Sequence, residues 1–564
     1  MNRRPTPYIY ILFLISSFSL INAQNLELVL EPTKSDEANI IRQLAYEKNH
    51  LSEISLQHEL DSIFRKLEFK GYLSAALNSL IKKDSIYTAR IDPGQNLESI
   101  KISYGHIDPS VLSEKVLKPI SKNTSSSYFE IPFGSISYAM QDLADYFEQQ
   151  GNSFISVRLS QIKLVDGAAT AQLEIQGKRK RSIDKVVIKG YEKFPKSFIR
   201  HELQLKQGTV FNKEKLDMAS RAINNLPFAE ERKAPEVLFT ADSTLIYLYL
   251  KKKRSNQFDG IIGFASKEAS SGLEFNGYLD LAVNNVFNSG ETIAIYWKNN
   301  GNDRQRFYLE AELPYLFNLP LVPSVNFELY RQDSTYNNVS TLINLGYSLG
   351  AKGKLSASFR TENSNDLTKG ASSGIQSYEN LFYGITYDYI RRTTDNLLPF
   401  RFQFGISGML GSRKSELVTT GQSRFKMQAS YLYPINNKNY VFLQNQSAFL
   451  DSDNYLTNEL FRIGGVYNIR GVNEESIFTS AYSVFNLEYR FRPNASSYFY
   501  TISDFSYTEN KADDQNTNVI SLGLGYGFTT KAGVLNLSYA IGKFDNAPFA
   551  FDNSRIHIKI ISNF

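Results

Sequence analysis

The sequence predicts an exported chain in which α+β repeats precede an all-β transmembrane β-barrel of about 16 antiparallel strands. Three observations carry that expectation. A positive, then apolar, leader opens the chain; a helix–break–two-strand unit recurs three times; and from residue 256 onward apolar and polar residues alternate with no helical pattern. Composition agrees. Of 564 residues, 39 are Phe and 35 are Tyr, and aromatics make up 13%.

Zero cysteines exclude a disulfide scaffold, cysteine zinc sites, iron–sulfur clusters and thiol catalysis. The formal net charge of +5 is too mild over this length to argue for nucleic acid.

Residues 1–23 read as a signal peptide. Arg3 and Arg4 form the positive region, Ile9–Ile21 the apolar region, and Ile21-Asn22-Ala23 a small-residue cleavage site before Gln24. No cysteine follows it to carry a lipid anchor, and no later run of 18 apolar residues suggests a membrane helix. Two options remain: a soluble exported protein, or a barrel that satisfies every backbone group in lipid.

In each repeat a helix ends at a breaker, at Gly71, Gly151 and Pro227, and two strands follow. The spacing is roughly 75–80 residues. The helices are expected at Leu51–Phe69, Ile136–Gln150 and Lys213–Asn224. Pro195 suits the first turn of a helix at Lys196–Leu203, and Asp108, before Pro109, suits an N-cap. Such strand–helix–helix–strand–strand modules give a small sheet covered on one face by two helices. An uncovered sheet edge can accept an extended peptide. The modules are placed at 24–95, 96–180 and 181–255, and the barrel at 256–564.

In the second half, Phe485, Leu487, Tyr489 and Phe491 oppose Asn486, Glu488 and Arg490, while Leu522, Leu524, Tyr526 and Phe528 oppose Gly523, Gly525 and Gly527. An aromatic-rich apolar face opposite a face of glycines and charges suits lipid outside and a wet or plugged lumen inside. Lys251–Arg254, just before the barrel, suits lipid phosphates and a solvated linker equally well.

The run FRIGGVYNIRGVNEES, residues 461–476, resembles the signature loop of the POTRA–barrel outer-membrane superfamily, which includes BamA, TamA and the two-partner secretion translocators. Gly464, Gly465, Ile469, Arg470 and Gly471 match that motif, while Val472 stands where the family has an aromatic residue. Glu488 in NLEYRF and Asp504 in TISDFS match the acidic wall positions, with Ser506 replacing an expected glycine. The resemblance implies that the loop is extracellular, folds back into the lumen, and brings Arg470 to Glu488 and Asp504. Alternating Ile556, Ile558 and Ile560 with the terminal Phe564 resemble the C-terminal barrel signal and one side of a seam. In size the chain looks more like TamA than the longer BamA.

The implied localisation is the bacterial outer membrane, with the POTRA domains in the periplasm. The implied function is assembly or insertion of outer-membrane proteins, handing clients to the membrane at the barrel seam. The alternative is a two-partner-secretion-type translocator working through the lumen. A plain porin is disfavoured by the ordered modules and the Ile-Arg-Gly loop. Expected partners are unfolded outer-membrane or secreted client polypeptides and membrane lipids. Whether a periplasmic protein docks on the POTRA domains is left open.

No enzyme signature is present, so no catalytic residue, cofactor or metal is expected. His50, His58, His106, His201 and His557 are scattered without a ligand pair. Gly523-Leu-Gly525-Tyr-Gly527 lies inside an alternating strand, which disfavours a nucleotide loop.

Overall fold

The computed structural model describes residues 25–563, apart from Pro109, Asp166, 267–272, 300–303, 351–352, 370–373, 394, 396, 417, 531–532 and 546. The expected signal peptide at 1–23, Pro109, the side chain of Ile560 and Phe564 therefore lie outside the described residues. The chain forms two compact units, dividing between Lys180 and Arg181.

The first unit holds two modules. In the first, Leu26–Pro32 pairs in parallel with Ile86–Asp92, which pairs antiparallel with Ala76–Lys83. The helix Glu53–Phe69 covers this sheet because Leu56, Leu60, Ile63 and Leu67 recur at helical spacing and are buried. Its start differs from the sequence expectation: Ser52 is the N-cap, accepting from the Ser55 N–H at 3.2 Å, so Leu51 stays outside. Gly71 ends it at φ +95°, a conformation open to glycine, and Gly151 repeats this at +97° after the helix Ile136–Gln149.

The second module departs from the expected pattern by having five strands, in the order Asn123–Thr124, Tyr128–Pro132, Ser99–Ser103, Ala168–Gln176, Ser156–Val165. The added strand Tyr128–Pro132 buries Phe129 and Ile131 by simple alternation. Asp108 is not a helix cap here. Its carboxylate accepts from the Ser110 N–H in a turn, and the following helix, Glu114–Leu117, has Ser113 at its N-cap position.

The second unit begins with a three-stranded module of Lys185–Lys189, Thr244–Lys252 and Ala229–Phe239, with helices Lys196–His201 and Lys213–Asn225. Pro195 is the N-cap residue of the first helix rather than part of its first turn. Sixteen antiparallel strands then close a barrel, from Gln257–Ser266 to Ser554–Asn563. The twelfth, Ala481–Asn494, shows the logic of its two faces. Phe485, Leu487, Tyr489 and Phe491 are exposed outward, whereas Asn486 and Glu488 are buried inward. A belt of this kind suits hydrocarbon rather than water. On the fourteenth strand, Gln515–Thr530, Gly525 and Gly527 leave the space that the rings of Tyr500 and Tyr498 fill.

The third module is bolted to barrel turns on one end. Tyr315 packs edge-on against Phe198 at 4.8 Å, stacks on His201 at 5.1 Å, and donates its hydroxyl to Glu202. Asn285 donates to the Tyr191 hydroxyl at 2.6 Å, and the Arg392 N–H donates to Asn225 at 3.1 Å. From this end the even-numbered turns face the module, so the loop after the eleventh strand, Asn439–Ser452, leaves from the opposite end.

Candidate functional site: a loop latched across the barrel lumen

Residues 453–480 turn back into the barrel. A two-strand stem, Phe461–Ile463 with Ile477–Thr479, carries the tip. Gly464 at φ +119° and Gly465 at +92° allow the reversal, and a Cβ on Gly464 would meet the Asn473 carbonyl.

The tip brings together residues that are distant in sequence. The Arg470 backbone N–H donates to Asp504 Oδ2 at 2.9 Å, its Nε to the same oxygen at 3.0 Å, and its Nη2 to Oδ1 at 2.6 Å. Its Nη1 donates to Glu488 Oε1, while Arg490 donates to Glu488 Oε2 at 2.8 Å through Nε. Asn486 donates to Asp504 Oδ1 at 2.8 Å and also to the Asn468 carbonyl. The Ser521 hydroxyl donates to the Arg470 carbonyl. Asp504 is 0% exposed, so its charge depends on these donors. A planar guanidinium serves two carboxylates at once in a way a lysine ammonium would not.

Backbone packing adds to the latch. Gly471, at φ +81°, crosses the fifteenth strand (Gly533–Phe544) so closely that a Cβ would lie 2.6 Å from the Gly542 nitrogen. Ile469 and Val472 are buried with Ile463, Val484 and Val519. Val472 thus fills an apolar seat, despite replacing an aromatic. Ser506 is buried on the lumen side.

Sequence reasoning missed two further anchors. Just before the motif, Asn458 donates to Ser364 Oγ and to the Gln376 carbonyl, each at 2.7 Å, while its own carbonyl accepts from Asn338 at 2.7 Å. Glu459 pairs with Arg413 and accepts from Gln422 at 2.9 Å. Just after the motif, Glu474 pairs with Lys298 and Glu475 with Arg306. Carboxylates at 459, 474 and 475 stand beside the motif in the sequence, but nothing local marks them as paired. Their partners lie 46 to 176 residues away in sequence.

At the other end, the turn between Tyr378–Arg392 and Phe400–Ser415 folds inward. Leu397 and Leu398 pack with Tyr498, Tyr500 and Ile502, and Arg492 pairs with Asp395.

Of the seam residues, Ile556 and Ile558 point outward and are exposed. His557 points inward and accepts from the Gly471 N–H at 3.4 Å. Among the described residues, the first and last strands are registered only at Gln257–Asn563 and Phe258–Ser562. Each pairs with its other neighbour over ten and eight positions respectively.

Residues 182–250, which span the third module, match the POTRA family, a surface antigen variable number repeat. A barrel of sixteen strands follows that module directly. The chain has the POTRA–barrel fold. The CdiB structure from Escherichia coli aligns with a TM-score of 0.52 at 11% identity, covering 90% of this chain and 97% of CdiB. CdiB from Acinetobacter baumannii aligns at 0.49 and 15% identity, over 91% and 98%. In sequence, the outer membrane protein assembly factor BamA of Neorickettsia risticii (strain Illinois) is 21% identical over 270 residues, or 46% of this chain. The match spans 35% of the length of that BamA.

Among the described residues, no group of His, Cys, Asp and Glu could hold a metal ion. His50 is a packing residue: it contacts Ser55 Oγ at 2.9 Å and the Glu47 carbonyl at 2.8 Å.

Proposed function

We propose that this protein is an outer-membrane assembly and insertion factor. Its POTRA modules receive unfolded client polypeptides in the periplasm, and its barrel hands them to the membrane at the seam. The observation that carries this reading is the short register of Gln257 and Phe258 with Asn563 and Ser562. Beyond it the two edge strands do not pair with each other among the described residues, so they present N–H and C=O groups that a client strand can satisfy. A client strand left unpaired in hydrocarbon loses several kcal/mol per group. Client folding supplies the drive, and no nucleotide or catalytic residue is needed.

The alternative, passage of a polypeptide through the lumen as in two-partner secretion, requires the loop to leave. Against it stand the three-sided anchoring of residues 458–475 and the inward turn at Leu397 and Leu398. Each α-helix among the described residues belongs to the fold of one module, which leaves no separate helix to serve as a removable plug. The same obstructions count against a plain porin.

Phe258→Cys with Ser562→Cys tests the reading, because the native chain has no cysteine to compete. Oxidation is expected to abolish client insertion into vesicles, and reduction to restore it. Full insertion with the seam locked would instead move the path to the lumen.

A further inference from the structure

The tenth barrel strand, Thr419–Pro434, sends Arg424 and Lys426 into the lumen beneath the loop. Arg424 is 9% exposed, and its Nε lacks any acceptor. Among the described residues neither cation has a carboxylate in ion-pair contact, and the acids lining the smaller cavity are already engaged, Glu475 by Arg306. Glu362 is held by Arg360 and the Tyr378 hydroxyl, Glu459 by Arg413 and Gln422, and Glu328 by Arg306. Arg360 in turn has an Nε without an acceptor. Two cavities, of about 150 and about 280 Å³, open beside these groups, and Arg360, Arg424 and Lys426 line both. The larger also carries Glu310, Glu312 and Asp388, of which Glu312 is held by Lys354 at 2.5 Å and Glu310 by the Tyr308 hydroxyl at 2.8 Å. From above, the Phe461 ring at the base of the loop stem lies 4.6 Å from the Arg424 guanidinium and 5.6 Å from Lys426 Nζ.

A buried guanidinium without an acceptor is costly, and a bound anion removes that cost. Two guanidinium forks beside one ammonium match the several acceptor oxygens of a phosphate group. We propose that Arg360, Arg424 and Lys426 form a binding site for a phosphate-class oxyanion inside the lumen. Because Phe461 covers it, an occupied site braces the loop stem, so binding and loop retention rise together.

The test uses the full chain in detergent micelles at neutral pH, titrated with inorganic phosphate against chloride at matched ionic strength. Saturable binding is expected, with a rise in melting temperature that chloride does not produce. Arg424→Gln and Lys426→Gln should each weaken binding at least tenfold, while Lys438→Gln, in a distant turn, should leave it unchanged. Should Arg424→Gln fail to fold, Lys426→Gln carries the test, since the Lys426 side chain makes no hydrogen bond among the described residues. A parallel titration with glycerol 3-phosphate separates sources: binding within tenfold of phosphate assigns a headgroup-bearing ligand, and its exclusion assigns the free ion. Absence of saturable phosphate binding, or binding that survives both substitutions, overturns the proposal.

Discussion

The wall of the twelfth to fifteenth strands and the seam between the first and sixteenth lie close together in the barrel but hold in different ways. At the wall, Asp504 takes three hydrogen bonds from Arg470 alone, and Gly471 is pressed against Gly542. At the seam, two residue pairs hold the closing edge among the described residues. The contrast bears on the proposed function, which asks for a firmly held lumen loop beside a thinly paired edge. Buried charge pairs hold the lumen loop, while beyond two positions the edge strands do not pair with each other among the described residues. The two regions meet where the last strand touches the loop: His557 accepts from the Gly471 N–H, Arg555 donates to Asn473 at 2.9 Å, and Lys559 lies 4.7 Å from the Tyr467 ring.

The largest way to break this contrast is Arg470→Ala. It leaves Asp504 with the Asn486 amide as its remaining side-chain donor and Glu488 with Arg490 alone, and is expected to cost about 3–5 kcal/mol. The measurement is the fraction of heat-resistant folded barrel and its melting temperature. Arg470→Lys should recover part of the loss, because an ammonium cannot serve both carboxylates in the same geometry. A silent Arg470→Ala, together with silent Glu488→Ala and Asp504→Ala, would remove the latch from the account.

A smaller effect is expected from Gly471→Ala. The backbone sits at φ +81° and the new methyl group would lie 2.6 Å from the Gly542 nitrogen, so strain of about 1–3 kcal/mol should loosen the tip without unpairing Arg470. Protease access to residues 464–476 on intact cells reads this directly. Unchanged access would show that the crossing relaxes.

The smallest effect sharpens the comparison from the far end. Burial pushes the Glu202 carboxyl above its ordinary value, only partly opposed by the Tyr315 hydroxyl. The protonated form is therefore the one the docked module favours. Docking is firmest below the ordinary carboxylate value and weakens as pH rises through the higher, folded-state value. Hydrogen exchange at the helix Lys196–His201 should increase over that window, and Glu202→Gln should flatten the response. An unchanged pH response in Glu202→Gln would assign it to another group.

The barrel was legible in the sequence because period-two alternation is a local property. Leu522 and Leu524 point out, and Gly525 and Gly527 point in, whatever the rest of the chain does. The module helices were legible for the same reason, from the buried spacing of Leu56, Leu60, Ile63 and Leu67. Their limits shifted by a residue or two because caps such as Ser52 depend on single hydrogen bonds. The added strand at Tyr128–Pro132 escaped notice because five alternating residues carry little signal without the neighbour they pair with. The Arg470 loop was legible through its resemblance to a family. Its anchors at Asn458, Glu459, Glu474 and Glu475 were not, since nothing local distinguishes a buried carboxylate from a solvated one.

By itself, then, the sequence determined the order of the parts: helical spacing and breakers in the first half, and period-two alternation in the second, set modules before barrel. Only the tertiary structure decided which charges face each other across the lumen, which strand edge is left thin, and which cations go without an acceptor. Those outcomes depend on barrel closure, which brings residues from distant strands within hydrogen-bonding distance and leaves the first and last strands to share whatever edge remains.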